Sequence, residues 1–184
     1  FPLFEAADYV LDTVLFIGIL TAFMAAIMAL VATDLKQVLA YSTISHLGIM
    51  MFTLGTGAVA VALFHLVVHG ISKALLFLCA GSVSHGAGTL EISELGGLRH
   101  KMPITFWCFS VGALSLSGVP PLSGWFSKDE ILLALQDHGG WGLLGCGLII
   151  AVLSALYTTR VWFRVFFGTV GPNSESAHES PAGM

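Results

Sequence analysis

The chain has 184 residues, of which 56% are hydrophobic and 10% charged, with a mean hydropathy of +0.89. A soluble domain carries about 25% charged residues, so this composition excludes an ordinary soluble protein. The net charge of -4 and the lack of any cluster among Lys36, Lys73, Arg99, Lys101, Lys128, Arg160 and Arg164 argue against nucleic acid as a partner.

The first apolar segment runs from about Thr13 to Thr33 without a charge. Glu5, Asp8 and Asp12 precede it, where a signal peptide would be basic, and a piece of a longer protein is expected. A second segment, about Gln37 to Leu54, ends at the turn signal Gly55-Thr56-Gly57. Asp34 and Lys36 open it and suit helix capping. Within it Ser42, Ser45 and His46 suit hydrogen bonds and close packing between helices, and His46 is placed to join a wet chain.

The third segment, about Ala58 to Val83, carries His65, His69 and Lys73 at four-residue intervals. On a helix this spacing aligns them on one stripe, about 6 Å apart along the axis. Ionisable side chains at membrane depth are costly and read as functional. About ten apolar residues on each side of Lys73 argue against a lysine that reaches the headgroups. His65 and His69 could instead be core histidines bonded to serines, and His-x-x-x-His is also a spacing for metal or haem ligands. With Lys73 next on the stripe a cation is disfavoured, so a proton relay is the expectation and no metal is expected.

A polar stretch from Ser84 to Lys101 stops at Pro103. The fourth apolar region, about Ile104 to Leu135, is too long for one straight span of roughly 20 residues. The run from Gly118 to Pro121, with two prolines, predicts a break. Unpaired backbone there needs protein or a wet cavity around it, as at the broken helices of transporters. Just beyond, Ser127 and Glu130 have the spacing of a capping box. Lys128 is either an interfacial lysine or, if the break lies inside the membrane, half of a buried charged pair with Asp129.

The fifth segment is about Trp141 to Val165, and residues 169–184 form a polar tail. The expected fold is all-α, a multi-pass bundle of about five spanning helices with the fourth broken at Gly118–Pro121. Residues 1–168 make the transmembrane domain. Lys36, Arg99, Lys101, Arg160 and Arg164 fall on one side and Glu5, Asp8, Asp12 and Asp137 on the other, which makes the first side cytoplasmic. Cys79, Cys108 and Cys146 are expected to be free thiols. No phosphate loop or cysteine cluster for a redox centre is present, so no cofactor is expected in this chain.

Several runs resemble the antiporter-like subunits of respiratory complex I. They are DLKQVLAYSTISHLG from Asp34, FHLVVHGISKALLF from Phe64, GGLRHKMP from Gly96 and GVPPLSGWFSKDEIL from Gly118. The lysine of Ser127-Lys128-Asp129-Glu130 is the feature of the L type, since the M type has glutamate there. Two departures are His46, where glutamine is expected, and Trp125, where phenylalanine is common. The resemblance implies the second of two inverted five-helix repeats. It also implies a proton-translocating membrane subunit of NADH:quinone oxidoreductase, located in a bacterial or mitochondrial inner membrane beside other membrane-arm subunits. His65, His69 and Lys73 would form the central axis, and Lys128 with Asp129 the outward release site. Mrp-type antiporter subunits share the His/His/Lys pattern, and an Mrp-type or hydrogenase-linked cation/proton antiporter subunit is the alternative.

Overall fold

The computed structural model describes residues 8–181; Glu5, one of the acidic residues placed on the outer side, lies outside them. Among the described residues five α-helices follow one another: α1 Asp8–Val31, α2 Leu35–Gly55, α3 Val59–Ala87, α4 Pro103–Ser117 and α5 Ser123–Phe166. No strand occurs among the described residues, which hold one isolated bridge between Asp34 and Glu91. Four of the helices, α1, α2, α3 and α5, are long and apolar enough to cross a membrane. Their outward faces carry Phe16, Phe23, Leu66, Val67, Ile71 and Leu78. This is the surface a bilayer accepts.

Helix ends follow from local chemistry. Asp34 caps α2, its Oδ1 accepting from the Gln37 amide at 2.8 Å. Gly88, at φ 72°, closes α3 in the left-handed conformation. The 44 residues of α5 contain two helices: Gly139 and Gly140 leave helical geometry, Gly140 at φ 58°. The expected boundary between the fourth and fifth segments therefore lies at this glycine pair. The fourth segment is α4 plus residues 123–138, broken at residues 118–122 as expected.

Between α1 and α2 the backbones nearly touch. A Cβ on Gly48 would lie 2.8 Å from the Ala22 Cα, and one on Gly18 equally near the Phe52 Cα. Small residues permit this approach where no hydrophobic force joins helices in lipid. Ser45 Oγ donates to the Ala22 carbonyl at 2.8 Å, one of the interhelical bonds expected of the second segment.

The basic loops gather at one end. The Leu35 amide donates to the Leu90 carbonyl and the Ile92 amide to the Thr33 carbonyl, at 2.9 and 2.8 Å. Arg160 Nη1 reaches the Ala32 carbonyl at 3.1 Å, and the Arg99 guanidinium lies 5.0 Å from the Phe167 ring centre. Part of the polar tail docks here too: the Glu179 carboxylate accepts from the Ile104 amide at 3.0 Å and from Thr105 Oγ1. An acid at the first turn of α4 suits the positive end of the helix dipole. The hydrophobic core joins all five helices through residues such as Ala26, Leu39, Leu76, Phe109 and Val161.

Candidate functional site

Lys73 stands at the midpoint of α3 and is only 5% exposed. Its Nζ donates to the Leu39 carbonyl at 2.9 Å and to Ser42 Oγ, both on α2. The reading of a headgroup lysine fails on this geometry, because the ammonium ends inside the bundle. Four and eight residues earlier on α3, His69 and His65 are buried as well.

The third member of the group comes from α2. His46 is fully buried, and its ring stacks on His69 with centres 4.6 Å apart and on His65 at 5.2 Å. Its Nδ1 is 3.0 Å from His65 Nε2, so one hydrogen is shared between the two nitrogens. His65 Nδ1 pairs with Ser127 Oγ at 2.9 Å. A hydrogen-bonded line thus runs from α2 through α3 to α5. His46 Nε2 and both nitrogens of His69 are buried without a partner. Such atoms are uncommon in folded proteins and mark a place for a proton, a water or a ligand.

Lys128 is 9% exposed. Its Nζ donates to the Leu116 carbonyl at 2.8 Å and to Ser154 Oγ at 2.6 Å. The break explains the first bond. In a continuous helix Leu116 would accept from the amide of residue 120, and Pro120 has no N–H to give. The lysine replaces the missing donor, which ties the charge to the Gly118–Pro121 interruption. A small cavity of about 20 Å³ adjoins Lys128 and is otherwise lined by apolar residues such as Ile49, Phe52 and Ile131.

Two expectations for this region are corrected. Ser127 and Glu130 do not form a capping box: α5 begins at Ser123 with Leu122 in the cap position, so Ser127 is already a turn inside the helix. It faces inward to His65, and its hydroxyl donates to the Gly124 carbonyl at 3.3 Å. Nor is Asp129 buried with Lys128. Asp129 is exposed, because consecutive helical residues point about 100° apart. Lys128 is buried alone.

Serines link the rest. Ser72 and Ser115 hydroxyls are 3.1 Å apart, and Ser115 and Ser123 3.3 Å, joining α3 to both sides of the break. The Tyr157 hydroxyl is buried and unpartnered. Ser154, Tyr157 and Thr158 were missed by sequence reasoning, although their spacing of three and four is a polar stripe on an apolar helix.

Gly118 offers a direct test of the Lys128 setting. It has φ 80°, and an added Cβ would meet Lys128 Cδ at 3.0 Å. Gly118→Ala is expected to lower stability by about 1–2 kcal/mol from the left-handed conformation alone. It should also displace the lysine. Thermal unfolding of the full-length protein measures the first effect, and proton translocation the second.

Comparison with known proteins gives the family. Residues 1–154 match the family model for NADH:quinone oxidoreductase/Mrp antiporter transmembrane proteins. NADH-quinone oxidoreductase subunit L of Rickettsia bellii is 42% identical over 99% of this chain and 29% of its own length. The F(420)H(2) dehydrogenase subunit L of Methanosarcina mazei is 44% identical over 100% of this chain and 30% of its own. The membrane-bound sulfane sulfur reductase, an archaeal respiratory membrane complex, contains a chain with TM-score 0.86 and 31% identity, covering 95% of this chain and 29% of that one. The chain thus spans less than a third of the length of the curated relatives it matches. With four helices long and apolar enough to span a membrane, a fourth segment broken beside a buried lysine and a family model matching most of its length, this chain belongs to the NADH:quinone oxidoreductase/Mrp antiporter transmembrane family.

Proposed function

We propose that this chain is the proton-conducting part of an L-type membrane subunit of NADH:quinone oxidoreductase, seated in an inner membrane beside other membrane-arm subunits. The observation that carries this is the pair of buried lysines, Lys73 and Lys128, with three histidines on the elements that join them. Buried ionisable groups inside a membrane bundle serve transport of charge far more often than stability.

In this reading the proton enters from the side of the basic loops and reaches Lys73. Water on the unpartnered nitrogens of His69 and His46 would carry it to the His46–His65 pair. From Ser127, which bonds His65 and the Gly124 carbonyl, a water would carry it on to Lys128, whose Nζ is held by Leu116 and Ser154. The apolar cavity beside Lys128 would keep the site dry until water enters it, and Asp129, exposed on the same turn, would take the departing proton. The segment is the second of two inverted repeats, and the first would supply the entry. Redox chemistry would belong elsewhere: the relatives' names carry NADH, F(420)H(2) and sulfane sulfur, different redox partners for chains similar to this one.

A cation/proton antiporter of the Mrp type is the second reading, favoured by the breadth of the family model. Membrane vesicles containing the full-length protein in its complex separate the two. NADH oxidation should drive proton uptake without sodium, and His65→Ala should lower the protons moved per electron. Proton exchange driven by a sodium gradient without NADH, with an unchanged ratio in His65→Ala, would decide for the antiporter.

A further inference from the structure

We propose that His46, His65 and His69 form a three-nitrogen site for a zinc-class divalent cation, which would block proton movement between Lys73 and Lys128. One ring nitrogen from each histidine lies within 4.8 Å of the others. Zinc–nitrogen bonds of about 2.0–2.1 Å in a tetrahedral site space the ligands about 3.4 Å apart. His46 Nδ1 and His65 Nε2, at 3.0 Å, already stand near that separation. His69 closes the set by rotation, since neither of its nitrogens is held by a hydrogen bond.

The surroundings resemble a ligand shell. His65 keeps Nδ1 on Ser127 Oγ at 2.9 Å while its Nε2 faces His46. A metal-bound histidine is commonly oriented in this way through its second nitrogen. An ion would take the place of the one hydrogen shared by His46 and His65, and a water would complete its coordination. From spacing, Lys73 disfavours a cation at His65 and His69. Two features change that balance: His46 adds a third nitrogen, and both lysines point their protons at oxygens of Leu39, Ser42, Leu116 and Ser154 instead of at the rings. Two nearby ammonium groups still oppose the ion, so it is an inhibitor that comes and goes and not a resident structural metal.

The blocking effect rests on the proposed proton route; the binding does not. Full-length protein in its complex, stripped with chelator, is titrated with Zn²⁺ by equilibrium dialysis and with Co²⁺ by its visible absorption. Wild type is expected to bind one ion that both His46→Gln and His69→Gln weaken by at least about tenfold, the loss seen when even an outer partner is removed. Co²⁺ should give the intense bands of a four-coordinate nitrogen site, absent from both variants. Equal binding and equal spectra in wild type and variants would overturn the site, as would no binding. If His46→Gln does not assemble, His69→Gln decides alone. Binding without inhibition of proton uptake would leave the site standing and count against the route.

Discussion

Replacing Lys73 by methionine in the full-length protein is expected to stop proton translocation while the protein still assembles. The side chain ends at the Leu39 carbonyl and Ser42 Oγ, deep in the bundle, where a positive charge is costly unless it serves transport. A positioned proton-transfer group contributes about 10²–10⁴-fold, so translocation should fall by at least about a hundredfold. Assembly should survive because the Leu39 carbonyl retains other donors: Ser42 Oγ and Thr43 Oγ1 both reach it at 2.9 Å. Lys73→Arg sharpens the test. Arginine keeps the charge and the donors but does not release its proton. If the lysine were a packing or charge anchor, arginine would rescue; if it carries protons, arginine fails like methionine. The measurement is protons moved per electron in vesicles, and a normal ratio in Lys73→Met would remove Lys73 from the route.

How much of this could be read in the chain depends on whether one helix or several define the feature. The stripe of His65, His69 and Lys73 needs only the pitch of α3, and the break needs only Gly118 and the prolines. The basic end follows from charges next to span ends, and Arg160 on the Ala32 carbonyl confirms that those loops share a side. Features set by the register between helices were not legible. His46 belongs to the histidine group because α2 packs on α3 with this residue turned toward His65 and His69, while Gly48 meets α1. Ser127 has the spacing of a cap, yet the chain turns at Leu122 and puts it a turn deeper, against His65. Asp129 looks like a partner of Lys128 in sequence, and one residue of helical rotation separates them. Local patterns give faces of helices; which faces meet is decided by the close contacts of glycines and serines.

Lys128→Met should differ from Lys73→Met in a way that the break predicts. Both variants lose a proton carrier, and translocation should fall to a similar degree. Only Lys128 also substitutes for a backbone donor. Without it the Leu116 carbonyl, whose helical partner would be Pro120, is left buried and unpaired, at a cost of about 1–3 kcal/mol. Methionine is close to lysine in length and apolar like the neighbouring Ile49, Phe52, Ile131 and Leu135, so packing adds little second penalty. Thermal unfolding of the assembled full-length protein should therefore show a lower midpoint for Lys128→Met than for Lys73→Met, while vesicles show the same loss of proton uptake. Equal stabilities would mean that the Leu116 carbonyl finds another donor and that Lys128 is not what holds the break. Preserved proton uptake in Lys128→Met would place the outward end of the route elsewhere and leave Lys128 as a structural substitute for the amide that proline lacks.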